Sequence, residues 1–127
     1  MTVCLDSWAV LAWLDGDEPA AGVVQRELEK ERPVMSWLNL GEVAYLVQRR
    51  HGADEARDVV RRLRSAVALD DVTPERVLAA ARLKADHPIA FADCFAAATA
   101  TARKATLLTG DPELIERSVG CRVRDLR

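Results

Sequence analysis

Short apolar runs that alternate with helical stretches constrain this chain more than any other feature of its sequence. Periodicity alone does not separate runs this short from the ends of helices, so the segments between them decide the interpretation. Those segments are helical, and short strands separated by helices favour a parallel sheet with right-handed crossovers. The sequence therefore predicts an α/β fold. We interpret five runs as buried strands, at residues 2–5, 34–36, 67–69, 105–108 and 121–123.

The helical segments carry signals of their own. In two of them apolar side chains recur at i, i+3, i+4 and i+7. Thr73 as N-cap and Pro74 at the first helical position start another helix. Helices are predicted from Ser7 onward and over residues 40–47, 56–63, 74–84 and 90–103.

Length and composition exclude several classes of protein. The 127 residues are 50% hydrophobic and 30% charged, which excludes an unfolded polyelectrolyte and predicts a single domain over residues 1–127. The formal net charge of -2 argues against a protein that holds nucleic acid by net charge alone. It does not argue against an enzyme whose bound cations supply the positive charge.

The distribution of charges and cysteines indicates where such a chain works. No basic segment precedes the first apolar run, so we expect no signal peptide, and no apolar run approaches the roughly 20 residues of a membrane helix. Cys4, Cys94 and Cys121 form no CxxC pair, which disfavours a disulfide scaffold or a zinc knuckle. We therefore expect a cytoplasmic protein in a reducing compartment.

Two carboxylates follow predicted strands directly. Asp6 comes after the first strand and Asp111 comes just past the fourth. In a parallel sheet both positions lie at the carboxyl edge, where such sheets bind ligands. Each is also a good helix N-cap, so these two residues alone leave capping and ligand binding open.

Two further carboxylates lie on apolar helical rows. No cation stands three or four residues from Glu42 or from Asp93. A carboxylate in such a place is costly to bury as an anion unless something positive meets it. Either an arginine from another element pairs with each of them, or they converge with Asp6 and Asp111 on metal ions.

Metal chemistry would account for convergence of all four acids. Hard divalent cations such as Mg²⁺ prefer carboxylate oxygens. Two such ions about 4 Å apart clamp a phosphodiester, activating water on one side and stabilising the leaving oxygen on the other. Without metal, four crowded carboxylates repel one another, which raises some of their pKa values.

At these same residues the sequence resembles the PIN-domain ribonucleases, in particular the VapC-type toxins of bacterial toxin–antitoxin pairs. The resemblance covers nearly the whole chain, and its segments are distinctive through their order and spacing. They are VCLDS at residues 3–7, NLGEV at 39–43, FADCFAAA at 91–98 and LTGD at 108–111.

The resemblance implies a three-layer α/β/α sandwich around a central parallel sheet. It also implies an endoribonuclease that depends on Mg²⁺ or Mn²⁺. The acidic quartet of the family matches four residues of this chain and its supporting hydroxyl matches Thr109. Two more candidates for supporting roles are Ser7, which otherwise caps a helix, and Glu113, which otherwise favours a helix N-terminus by its charge. The matched quartet is Asp6, Glu42, Asp93 and Asp111.

The same resemblance implies partners. They are a cognate antitoxin protein, an RNA substrate and a second copy of the chain in a homodimer, with no membrane. The first helix is apolar nearly all round, with Trp8 and Trp13, so we expect part of it to pack on another protein segment.

Other interpretations remain open at this stage. A signalling receiver-type domain needs adjacent acids after the first strand, whereas Asp6 stands alone. A non-catalytic binding module would use the acids only as caps. Residues 49–51 and the arginines of residues 57–64 form either a phosphate-binding face or the solvated sides of two helices. Asp70 is interpreted as a loop or surface charge.

Overall fold

Five short strands and seven helices make up the fold of this protein, seen in a computed structural model that describes all 127 residues. The strands are β1 (Val3–Leu5), β2 (Val34–Ser36), β3 (Ala68–Asp70), β4 (Thr106–Thr109) and β5 (Val123–Asp125). The helices are α1 (Ser7–Asp15), α2 (Ala20–Lys30), α3 (Trp37–His51), α4 (Ala53–Ala66), α5 (Pro74–Asp86), α6 (Phe91–Ala102) and α7 (Pro112–Ile115).

The strands form one sheet in the order β3-β2-β1-β4-β5, and every neighbouring pair is parallel. The predicted α/β fold with a central parallel sheet is therefore confirmed. Strand β5 lies two residues beyond the predicted run, because its last residues, Arg124 and Asp125, are exposed at the sheet edge and carry no apolar signal. Helix α2 has no counterpart among the predicted helices.

Alternation of side chains along the strands creates the two faces of the sheet. In β1, Val3 and Leu5 join one buried cluster while Cys4 joins the other. The first cluster packs against α1, α2, α3 and α4, and the second against α5, α6 and α7. This arrangement is the three-layer α/β/α sandwich that the family resemblance implies. In α6 the buried alanines allow the helix to lie close to the sheet, with Phe95 as its largest fully buried side chain.

None of the helices is both long enough and apolar enough to span a membrane.

Asp70 is a buried, doubly paired carboxylate, so its interpretation as a surface charge is wrong. It is 5% exposed at the end of β3. The Arg76 Nε donates to its Oδ2 at 2.8 Å, and the Arg103 guanidinium donates to its Oδ1 at 3.1 Å. The two arginines come from α5 and from the residue that follows α6, so the pairing ties both helices to the sheet. Neither partner lies near enough in sequence to reveal it.

Replacing Asp70 with Ala should lower the free energy of unfolding by about 2 kcal/mol, because Arg76 is only 22% exposed and loses its partner. The matched control is Asp58→Ala, which breaks the exposed pair with Arg61 at 3.1 Å and should change stability by less than about 0.5 kcal/mol. Urea denaturation of the two variants measures the difference. Equal destabilisation would contradict the assignment of Asp70 as an anchor.

Candidate active site

Asp6 lies at the carboxyl edge of the sheet, directly after β1, and is 2% exposed. The Ala9 N–H donates to its Oδ1 at 2.8 Å, so Asp6 is the N-cap of α1. The Thr109 hydroxyl donates to its Oδ2. Both oxygens are thereby oriented by the protein, which keeps the carboxylate in one position.

Thr109 connects Asp6 to Asp111. The parallel pairing of Leu5 with Leu108 brings the ends of β1 and β4 side by side, and Thr109 follows there, fully buried. Its hydroxyl also accepts the Asp111 N–H at 3.0 Å. Asp111 in turn accepts the Glu113 N–H at 2.9 Å and caps α7. Both Asp6 and Asp111 are thus helix caps, and capping does not exclude a further role at the edge of the sheet.

Gly110 makes this turn possible through close packing. A Cβ at Gly110 would lie 2.2 Å from ring atoms of Trp8, so the indole covers the backbone between Thr109 and Asp111. No larger residue fits unless the ring moves. One of the two tryptophans of α1 therefore supports the candidate site from within the chain.

Glu42 and Asp93 approach the same edge from helices on opposite faces of the sheet. Both side chains are half-buried, Glu42 on α3 and Asp93 on α6. The ion pairs of the structure all involve other acids. The possibility that an arginine from elsewhere neutralises Glu42 or Asp93 is therefore not realised.

The tightest carboxylate group contains one residue that the sequence places only in a supporting role. Ligand oxygens of Asp93, Asp111 and Glu113 all lie within 4.8 Å of one another. Asp6 and Glu42 do not join this group, although both raise the pKa of Asp93 by charge repulsion. Of the predicted quartet, Asp93 and Asp111 are therefore brought together, with Glu113 as the third member of their group.

Burial and mutual repulsion shift two of these carboxyl groups. Burial raises the pKa of Asp6 to about 7, even though the hydrogen bonds from Thr109 and Ala9 lower it. Burial also raises the pKa of Asp93 to about 7, with further contributions from the charges of Asp111 and Asp6 and from a hydrogen bond with Asp111. Ionising either carboxyl group therefore costs free energy unless a positive charge lies close to it.

The donor set fits a hard divalent cation. It consists of carboxylate oxygens alone, without histidine or cysteine among the clustered groups and without a cationic side chain paired to them. Mg²⁺ and Mn²⁺ prefer such oxygen ligands, whereas Zn²⁺ sites are built mainly from imidazole and thiolate.

Asn39 is a polar residue of the site region to which sequence reasoning assigns no role. It is 1% exposed, and its Nδ2 donates to the Ala92 carbonyl at 3.0 Å, joining α3 to α6 beside Asp93. Its backbone carbonyl accepts the Ser7 hydroxyl at 3.1 Å, so Ser7 ties α1 to α3 and makes no bond to Asp6. The sequence signal that could have identified Asn39 is its position one turn before Glu42 on the same helical row.

The raised pKa of Asp6 predicts how stability depends on pH in EDTA. Because the folded-state pKa lies above that of an unfolded chain, the ionised carboxylate destabilises the fold progressively from pH about 4 to about 7 and fully above that. Asn caps a helix about as well as Asp. Asp6→Asn should therefore raise the free energy of unfolding at pH 8 by roughly 2–4 kcal/mol and change it little at pH 4.

Urea denaturation at these two pH values measures the effect. Asp71→Asn, an exposed acid without an ion pair, is the control and should follow the wild-type profile. Parallel pH profiles for wild type and Asp6→Asn would contradict the electrostatic account of Asp6.

Comparisons with known proteins place the fold. The PIN domain family model matches residues 3–119, and no curated protein matches the chain. Among solved structures, it is similar to VapBC2 from Rickettsia felis bound to a promoter DNA fragment, at 17% identity and TM-score 0.78 over 98% of both chains. It is also similar to DNA-bound VapBC from Salmonella typhimurium, at 18% identity and TM-score 0.79 over 100% of this chain and 99% of that one. A third structure is VapC20 of Mycobacterium tuberculosis, described as a sarcin-ricin loop cleaving toxin, at 19% identity and TM-score 0.75 over 91% of this chain and 94% of that one. Because the family model spans nearly all of its residues, the chain belongs to the PIN domain family.

Proposed function

We propose that this chain is a metal-dependent endoribonuclease and the toxin of a toxin–antitoxin pair in the cytoplasm. One observation carries the proposal: Asp93, Asp111 and Glu113 cluster at the carboxyl edge of the sheet without a cationic partner. The pKa values of Asp93 and of Asp6 at the same edge are raised. Membership of the PIN domain family supports it. Similarity to the VapBC structures and to VapC20, described as a sarcin-ricin loop cleaving toxin, supports the toxin role.

The residues divide into ligands and supports. Asp93 and Asp111 would hold Mg²⁺ or Mn²⁺, with Glu113 beside them. Asp6 and Glu42 would bind the same ions directly or through water. When bound, such ions lower the pKa of a water molecule and stabilise the negative charge of a phosphodiester undergoing in-line attack.

The protein itself fixes the orientation and the protonation state of its acidic side chains before a metal ion binds. Thr109 and the Ala9 N–H fix the orientation of Asp6, so little reorganisation is needed when a ligand binds. Asp6 and Asp93 are partly protonated near pH 7 in the metal-free protein and would lose these protons as a cation binds, because the positive charge offsets the burial and repulsion that raise their pKa values. Metal affinity should therefore increase with pH.

Metal binding should raise the melting temperature of the wild-type protein, and this increase should be smaller in Asp93→Asn because a ligand is lost. The same variant should cleave RNA at least about 10–100 times more slowly, while Asp71→Asn cleaves normally. Differential scanning calorimetry with and without Mg²⁺ or Mn²⁺ gives the first result, and a fluorescence-quenched oligoribonucleotide gives the second. Equal Mg²⁺ stabilisation of wild type and Asp93→Asn would exclude the metal site and favour a module whose acids are caps.

The partner proposal is a cognate antitoxin and a homodimer. Contacts within the chain cover the tryptophans of α1 more than the sequence suggests, since Arg62 lies 5.1 Å from the Trp13 ring and Gln25 accepts its indole N–H at 2.8 Å. Three of the six exposed large apolar side chains lie on or just before α5, where Leu78 is 58%, Val72 is 44% and Val77 is 37% exposed.

If a second copy packs on this α5 surface, Leu78→Asp should convert a dimer into a monomer without loss of helix content, because a buried charge opposes association. Sedimentation velocity measures the mass, and circular dichroism measures the fold. A wild-type monomer at all accessible concentrations, or a dimer unaffected by the substitution, would contradict this surface.

A further inference from the structure

One row of side chains on α3 runs from the protein interior past Glu42 into solvent. Asn39, Glu42, Tyr45 and Arg49 are spaced by three, three and four residues, so their side chains share one row of the helix. Asn39 is buried, Glu42 is half-buried, and Tyr45 is 47% exposed. Tyr45 lies about 4.5 Å, and Arg49 about 10 Å, beyond Glu42 along the helix axis.

Tyr45 and Arg49 contact each other on the surface of α3, and Arg49 has no acidic partner. The Arg49 guanidinium lies 5.1 Å from the centre of the Tyr45 ring, and Arg49 forms no ion pair. The arginines of α4 pair with acids or lie over half-buried tryptophan rings, whereas the ring beside Arg49 is exposed. The pairs are Arg57 with Asp54, Arg61 with Asp58, Arg62 over Trp13 and Arg64 over Trp37.

Space for a ligand exists beside this pair. A surface depression of about 470 Å³ is lined by Tyr45, Gln48 and Arg49 alone. Gln48 adds an amide with both donors and an acceptor. An exposed aromatic ring, a guanidinium without an acidic partner and an amide in one depression are groups that bind a nucleotide through its base, its phosphate and its base edge.

We propose that Tyr45 and Arg49 form a subsite for one unpaired nucleotide of the RNA, next to the nucleotide whose phosphate reaches the acidic cluster. The base stacks on the Tyr45 ring, and Arg49 contacts a phosphate. The nucleotide has to be unpaired, because bases within a duplex do not offer a free face to a side chain. Stacking accepts every base, so the subsite positions the strand and does not select a sequence. This inference rests on the proposed ribonuclease function.

Binding of a labelled oligo(U) ribonucleotide, followed by fluorescence anisotropy with Ca²⁺ in place of Mg²⁺, tests the stacking. Tyr45→Ala and Tyr45→Leu should each weaken binding about 5- to 100-fold, while Tyr45→Phe keeps the ring and binds like wild type. With an oligoribonucleotide that lacks its bases, wild type and Tyr45→Ala should bind equally. In the cleavage assay with Mg²⁺, Tyr45→Ala should raise KM and leave kcat nearly unchanged.

The salt dependence of the same binding tests the phosphate contact. Arg49→Ala should reduce the slope of log affinity against log salt concentration by about 0.7, the value for one phosphate of a single strand, and Arg49→Lys should restore most of it. The control is Arg82→Ala, which removes an exposed arginine that lines a different depression with Thr101 and Ala102.

Each outcome separates this inference from the function on which it rests. Wild-type RNA affinity in Tyr45→Ala, or equal losses with the base-free ligand, would overturn the subsite while cleavage that depends on Asp93 preserved the ribonuclease. Wild-type RNA affinity together with weaker retention of a co-expressed antitoxin would also overturn it and assign the surface to a protein partner. A wild-type protein that neither binds nor cleaves RNA would overturn both.

Discussion

The parallel pairing of β1 with β4 is the constraint on which the site depends. It places the residue after Leu5 beside the residue after Leu108, so that Asp6 and Thr109 meet across about 100 residues of chain. The Thr109 hydroxyl then binds Asp6 and Asp111 together. Trp8 closes over Gly110, and this packing holds the turn against α1. The remaining acids are presented to this fixed edge by helices from the two faces of the sheet.

The carboxylates at this edge repel one another, and no cationic side chain of the protein pairs with them. Elsewhere the fold neutralises buried charge locally, as Arg76 and Arg103 do for Asp70. Asp6 and Asp93 have no such partner, and burial, with repulsion from neighbouring acids added to it, raises their pKa values. Stability of the fold and affinity for a cation are therefore linked, since the proposed metal ion would reduce the cost of ionising these acids.

The basic residues also divide into those that have an acidic partner and those that do not. The net charge of -2 gives no sign of a nucleic-acid surface. The arginines of α4 are occupied by acids or indole rings, as expected for the solvated side of a helix. Arg49 has no acidic partner and lies over the exposed Tyr45 ring, on the helical row that also holds Glu42. This one pair therefore indicates a nucleic-acid surface that the total charge does not.

The sequence by itself determined the alternation of strands and helices, because periodicity and strand ends are local properties. For the same reason it placed Asp6 and Asp111 just after strands, and Glu42 and Asp93 on helices. It did not reveal helix α2, the burial of Asp70, the bridge from Asn39 to Ala92 or the place of Glu113 beside Asp93. Each of these features depends on contacts between elements distant in sequence. Only the tertiary structure decided them, because it sets which helices meet over the sheet and which charges are left without a partner.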